Sequence, residues 1–292
     1  MSLITRTLGG TVKRFANIGL GQLPGVLTVY RFVWRHFGPK GIAIAEVDGM
    51  KLNVICRDWA VAPTMLFAHS WEPAETAIFK KYIKDGDVVV DAGAYIGYYT
   101  VLSSKLVGGK GKVYSFEPSQ ENYDVLVKNI KLNNCDNIHI VRKAVSDKQG
   151  TVTFYPNPCN ASGSTMFKDY STHNDHDPKV IVDTTSLDDA IGNGRADFIK
   201  MDIEGGETNA LKGMTNVIKN NPQLKMIVEV FPIGLKNVGS SLEEFVESLQ
   251  RCFKLYIVGG SDTVDVGLQE IQQEIKKSAV INLFCIRKEV IG

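Results

Sequence analysis

Three carboxylates and an amine crowd one short stretch of this 292-residue chain: Lys200, Asp202, Glu204 and Glu207, within DFIKMDIEGGE. Two-residue spacing puts Lys200 and Asp202 on one face of a strand, with Glu204 just beyond its carboxyl end. Such a set suits proton removal from a hydroxyl. An alcohol has a pKa near that of water, ~15.7, so it attacks an electrophilic carbon well only when a base takes its proton as the bond forms. Asp202 or Glu204 is a candidate for that base, with Lys200 beside them. The same residues also suit a structural task, in which Asp202 or Glu204 caps the next helix, Glu207 complements its dipole and Lys200 neutralises them. Glu229, near the end of the apolar run MIVEVF, borders the same region as a base or a loop anchor.

A second constellation follows the apolar run DVVVD, where the chain reads Asp91-Ala92-Gly93-Ala94-Tyr95-Ile96-Gly97. A dinucleotide pyrophosphate calls for G-x-G-x-x-G, so that amides at a helix N-terminus approach a dianion closely. Here the spacing is G-x-x-x-G, and Asp91 ends the strand where it would repel that dianion. S-adenosylmethionine carries an ammonium, a sulfonium and no phosphate, so it tolerates fewer glycines and welcomes an acid. The loop therefore reads as a methyl-donor site, against a bland alternative of turn chemistry alone. Glu117, followed by Pro118, ends the next strand 20 residues after Gly97, where a carboxylate accepts hydrogen bonds from both ribose hydroxyls. That residue fits NAD equally well.

The elements that must position these residues begin near residue 72. Asp87 to Asp91 is a short apolar strand, followed by the glycine loop and a helix carrying Tyr98, Val101, Leu102 and Lys105 up to Gly108. Lys112 to Phe116 is a second strand. Pro118 and Ser119 then open a helix with Tyr123, Leu126, Val127 and Ile130 on one face. Ile138 to Val141, Asp197 to Ile203 and Met226 to Phe231 continue the series, with a short helix ending around Leu211 to Met214 after the fourth strand. Strands alternating with helices imply a doubly wound, mostly parallel sheet. Thr151 to Tyr155, a polar loop over 156–179 and Val180 to Asp183 form an insertion between the third and fourth units. Ser241 with Glu244 makes a capping box. Phe253 to Val258 and Ala279 to Ile286 leave little room for a crossover helix, so an antiparallel edge pair is expected. Glu72 and Pro73 open a helix just before the first strand, read as a helix start or as a lid on the donor site.

The runs VVVDAGAYIGYYT, FEPSQENYDVLVKNIKLNN, AVSDKQG and DFIKMDIEGGETNALKGM resemble the FkbM family of S-adenosylmethionine-dependent methyltransferases, over about residues 72 to 232. The resemblance extends to the Glu72-Pro73 pair. It implies a Rossmann-like class I methyltransferase fold, with seven strands in the order 3-2-1-4-5-7-6 and one antiparallel edge strand. It also implies donor binding by Asp91, Gly93, Gly97 and Glu117, with Ala144 and Val145 flanking the adenine. The implied reaction is methyl transfer to a hydroxyl of a sugar, a glycan, a lipid-linked or a secondary-metabolite acceptor. The expected organisation is an N-terminal extension over 1–71, basic, apolar and partly helical, and a methyltransferase domain over 72–292.

Composition narrows the partners. There are 33 Lys and Arg against 32 Asp and Glu, which offers no general attraction to a polyanion, so nucleic acid is not expected. Asp202-Ile203-Glu204-Gly205 also stands where a nucleic-acid methyltransferase would carry an Asn-Pro-Pro-Tyr-type tetrapeptide. An NAD-dependent oxidoreductase shares the fold and Glu117 but needs a third glycine. A non-catalytic module is opposed by the intact Asp91, Glu117 and Asp202. Five cysteines without paired spacing suit a reduced, cytoplasmic setting. His173-Asn174-Asp175-His176-Asp177 reads as a solvated loop, and no metal site is expected. The segment from Asn160 to Thr165 reads as a substrate loop or as plain flexible chain. The first 45 residues hold six Lys and Arg and no acid. With Tyr30, Phe32 and Trp34 they suit docking on the core or on a second subunit, or peripheral contact with an anionic inner membrane face. The uncharged stretch from Phe15 to Tyr30 is too short and glycine-broken to span a bilayer.

Overall fold

The computed structural model describes residues 26–157, 161–165, 179–192, 194–260 and 264–288. The expectations for the first 25 residues and for His173 to Asp177 lie outside them.

Helix α1 (Val26–Phe37) leads into an antiparallel hairpin of β1 (Ile42–Val47) and β2 (Met50–Ile55). Its two-residue turn, Asp48-Gly49, has φ of 49° and 73°, the left-handed pair whose twist matches a hairpin. Then come α2 (Pro73–Tyr82), β3 (Val88–Ala92), α3 (Tyr98–Val107), β4 (Lys112–Phe116), α4 (Gln120–Leu132) and β5 (Ile138–Val141). Three strands form a separate small sheet: β6 (Ala144–Val145), β7 (Gly150–Phe154) and β8 (Val180–Thr185), in the order β6-β8-β7. The chain returns through α5 (Leu187–Ile191) to β9 (Phe198–Met201), α6 (Glu207–Lys212), α7 (Thr215–Asn220) and β10 (Lys225–Val230). It finishes with α8 (Pro232–Asn237), α9 (Leu242–Gln250), β11 (Phe253–Ile257), α10 (Leu268–Ile275) and β12 (Ile281–Arg287).

The main sheet runs β11-β12-β10-β9-β3-β4-β5. Counted along its own seven strands this is the order 3-2-1-4-5-7-6, in an α/β fold. All neighbours are parallel except β12, which runs against both β10 and β11 at that edge of the sheet. The eight-residue α10 fits between β11 and β12, where the sequence reading left little room for a crossover helix. Strand β9 is buried at all four residues because both faces are covered, and its period of two decides which side chain goes where. Phe198 joins a core shared with Leu52, Val54, Phe79 and Leu126, whereas Ile199 joins the opposite core with Met226, Phe245 and Ile271. The hairpin is stitched to the domain by Asn129 of α4. This fully buried side chain donates to the carbonyls of Ile96 (2.8 Å) and Asn53 (3.1 Å) and accepts from the Asn53 amide. Among the described residues no helix is long and apolar enough to cross a membrane.

Candidate functional site

At the carboxyl ends of β3, β4 and β9 the chain opens a cleft, the place where an open α/β sheet presents its loops to a ligand. Glycine makes the geometry possible. Gly93 has φ 87°; its amide and that of Ala94 both donate to the Phe116 carbonyl, at 3.0 and 2.9 Å. A Cβ there would sit 1.8 Å from the Asp202 carbonyl oxygen, so only glycine lets the ends of β3 and β9 approach. Tyr95 follows in a left-handed conformation, φ 51°, which turns its N–H onto Glu117 Oε2 at 2.9 Å.

Glu117 is 4% exposed. Its Oε1 accepts from the Ser119 N–H at 2.9 Å and from Asn122 Nδ2 at 3.3 Å. Burial pushes its carboxyl up to about 7, against the lowering pull of those amides. Gly93, Tyr95, Glu117, Pro118, Ala144 and Val145 all line the cleft, as do Asp202 and Glu204. Asp91, Ala94 and Gly97 do not. Asp91 is buried beneath the loop, where its carboxylate accepts from Thr100 Oγ1 at 2.6 Å, and Gly97 lies against Leu126. Asp91 thus supports the loop from beneath, while Ala94 and Gly97 belong to its buried backbone.

Lys200 stands beside Asp91 in the β3–β9 register. Its Nζ lies 2.6 Å from Asp202 Oδ2 and 4.7 Å above the ring of Tyr99. Burial works against its charge, but Asp202, Glu72 and Asp91 outweigh it and hold the ammonium charged, well above its ordinary range. Glu72 precedes Pro73, which opens α2 as expected. It sits at φ 40°, caps nothing, and instead accepts from Tyr99 Oη at 2.7 Å. Burial pushes its carboxyl up to about 7.

The acids after β9 do not act as helix caps. Helix α6 begins after Gly206 with no side-chain cap, so neither Asp202 nor Glu204 has that task. Glu207 ties the loop instead: wholly buried, its Oε1 accepts from the amides of Ile203 (3.1 Å) and Gly205 (3.2 Å). Its Oε2 has no hydrogen-bond partner, nor has Glu229 Oε2. One carboxylate oxygen from each of Asp202, Glu204 and Glu229 lies within 4.8 Å of the others. Burial, and then the neighbouring acids, push Glu204 and Glu229 well above the usual carboxylate range. Gly205 and Gly234 bring this loop onto α8, since a Cβ on Gly205 would lie 2.7 Å from the Gly234 Cα.

Sequence reasoning missed Asp58, in the stretch Cys56-Arg57-Asp58-Trp59, where no motif marks it. Its Oδ1 accepts from the amides of Ala60 and Val61, both at 3.0 Å. Its Oδ2 accepts from Tyr95 Oη and from the Ser162 N–H, both at 2.9 Å. Ser162 and Ser164, from the expected substrate loop, line the same cleft.

The site thus has the buried carboxylate of Glu117, apolar Ala144 and Val145 nearby, and a carboxylate cluster beside the buried ammonium of Lys200. A ligand with a cationic end suits that cluster. A pyrophosphate does not.

Among curated proteins, the chain is 28% identical over 141 residues to hexuronic acid methyltransferase AglP of Haloferax volcanii, covering 47% of this chain and 54% of that protein. It is 28% identical over 155 residues to methyltransferase sdnD of Sordaria araneosa, covering 43% and 60%. The alignments therefore span little more than half of each relative. A putative rRNA methylase from Clostridium thermocellum superimposes with a TM-score of 0.44 at 13% identity, over 75% of this chain and 96% of that one. The model of the methyltransferase FkbM domain matches residues 91–255, more than half of the sequence, and the chain belongs to the FkbM methyltransferase family.

Proposed function

We propose that this protein is an S-adenosylmethionine-dependent O-methyltransferase whose acceptor is a hydroxyl of a sugar, a glycan, a lipid-linked or another small metabolite. The observation that carries the reading is the polarity of the cleft. Glu117 is set between the glycine loop and the start of α4 to accept ribose hydroxyls, while the far end gathers Asp202, Glu204 and Glu229 around Lys200. A relative that acts on a hexuronic acid supports a sugar-like acceptor.

The donor supplies a methyl group on a sulfonium, whose leaving group is a neutral thioether. Everything else falls to the chain. Glu117 holds the ribose, Ala144 and Val145 flank the adenine, and the backbone at Gly93 to Tyr95 lets the donor lie close to the ends of β3 and β9. Asp202, held by Lys200, and Glu204 receive the proton of the acceptor hydroxyl. Aligning oxygen and methyl about 3 Å apart supplies much of the acceleration. Isothermal titration with S-adenosylhomocysteine and, separately, with NAD tests the reading. Micromolar binding of the first and none of the second is expected. The reverse order would replace it with the oxidoreductase.

A further inference from the structure

Three carboxylates, Asp202, Glu204 and Glu229, meet at the acceptor end of the cleft from the end of β9, the loop after it and β10, with Glu207 at the start of α6 behind them. The ammonium that faces them, Lys200 Nζ, is already placed on Asp202 Oδ2 at 2.6 Å. That pairing fixes Asp202 and leaves its Oδ1 for a second positive partner. Oxygens of Asp202, Glu204 and Glu229 lie within 4.8 Å of one another, whereas six oxygens about 2.1 Å from one small cation stand roughly 3 to 4.2 Å apart.

A second observation is independent of that spacing. Glu207 is 0% exposed, with Oε1 taken by two loop amides and Oε2 left without a partner, and Glu229 Oε2 is buried without one as well. Glu207 Oε1 holds the amides on either side of Glu204, those of Ile203 and Gly205, which sets this carboxylate against the same loop. Buried carboxylate oxygens without donors persist where a cation completes them.

We propose that Asp202, Glu204 and Glu229 bind one divalent cation, Mg²⁺ or Mn²⁺, with Glu207 behind them, and that this ion receives the acceptor's hydroxyl. The all-oxygen donor set selects a hard ion, and the group contains no Cys or His that would favour zinc. Sequence reading placed Glu229 beside this region but expected no metal, because Glu229 lies 25 residues from Glu204 and joins it only through the β9–β10 pairing. For its chemistry, though not for the ion, the proposal rests on the methyl-transfer reading. As the acceptor oxygen forms its bond to the methyl carbon, its proton passes to a carboxylate of the group. The carbon–sulfur pair leaves with the thioether, and the ion lowers the cost of charge developing on the oxygen.

The test uses the full chain, stripped with EDTA and titrated with Mn²⁺ while paramagnetic resonance reports the free ion. Affinity for S-adenosylhomocysteine is measured on the same samples. Wild type should bind one Mn²⁺, displaced by Mg²⁺. Glu229→Gln should weaken binding by more than tenfold, and Glu207→Gln by about 10- to 100-fold. Without metal, Glu229→Gln should melt at or near wild type, because Oε2 has no hydrogen-bond partner to lose; with Mn²⁺ only wild type should gain stability. A merely structural Glu229 would lower melting under both conditions. If Glu229→Gln does not fold, Glu204→Gln, on the loop, carries the comparison. Wild type failing to bind millimolar Mn²⁺ while holding S-adenosylhomocysteine overturns the ion and leaves the methyl transfer. Mn²⁺ bound without affinity for S-adenosylhomocysteine does the opposite. Undiminished Mn²⁺ binding in both Glu204→Gln and Glu229→Gln overturns the site.

Discussion

If Glu117 receives the donor's ribose, as proposed, donor binding should depend on pH with a sign and size fixed by its surroundings. Its carboxyl is raised to about 7 by burial, and ribose hydroxyls would donate to its ionised form. At pH 6 about one tenth of the protein carries that form and at pH 8 about nine tenths, so the apparent affinity for S-adenosylhomocysteine should tighten ~tenfold across the interval, about 1.4 kcal/mol. Binding at pH 6 should also release close to one proton. Calorimetry at both pH values, in two buffers of different ionisation enthalpy, measures affinity and proton count together. In the free protein the folded pKa stands above the ordinary 4.5. The native state therefore binds more protons between about 4.5 and 7, and stability falls as pH rises through that window. Glu117→Gln should abolish both dependences. It should also cost ~1–3 kcal/mol of stability, because either orientation of the amide turns its NH₂ toward the Tyr95 or the Ser119 N–H. Equal affinities at pH 6 and 8 with no proton released would refute the assignment of Glu117 to the ribose.

Asp202→Asn should keep affinity for S-adenosylhomocysteine and lower kcat by ~10² to 10⁴ in an assay with an identified acceptor; near wild-type turnover in a stable variant would move the base elsewhere. Gly239→Ala, at φ 74° with open space around it, should cost about 1 kcal/mol in urea unfolding. Gly205→Ala, at φ 100° and against Gly234, should cost several times more; equal costs would refute the argument from close approach. On α1, Val29, Phe32 and Phe37 are 58–63% exposed beside Arg31 and Arg35. If this face meets an anionic membrane, Phe32→Asp should reduce flotation with anionic vesicles. No difference at low salt, where screening is weakest, would dismiss the contact.

The strands of the sheet were legible as short apolar runs, several of them bounded by Gly, Asp or Pro, and their order came from the resemblance. Asp87 to Asp91 and Asp197 to Ile203 shift by only a residue or a few to Val88–Ala92 and Phe198–Met201. The Ser241–Glu244 capping box is present, since it depends on four consecutive residues alone. The β1–β2 hairpin went unread, although Asp48-Gly49 between alternating apolar residues was its signal. Asp58 could not be read, because its role depends on distant segments meeting in space, whereas Glu229 was legible beside Asp202 from its place near the end of the neighbouring strand. The helix-cap reading of Asp202 and Glu204 was locally sound. It failed because Glu207 reaches back to the loop amides instead.

Asp58 binds three stretches that no alignment would group: its own turn after β2, Tyr95 of the glycine loop and Ser162 of the insertion. The segment that matches the family, 91–255, therefore leaves out one of the residues that hold this cleft together. Excising the protein at residue 72 would leave every strand of the main sheet in place. It would also strip the apolar cover of Leu52 and Val54 from α4 and cut the carboxylate that fastens one wall of the cleft to another. Grafting a foreign leader onto this chain would meet the same obstacle unless residues 42 to 62 stayed with the core.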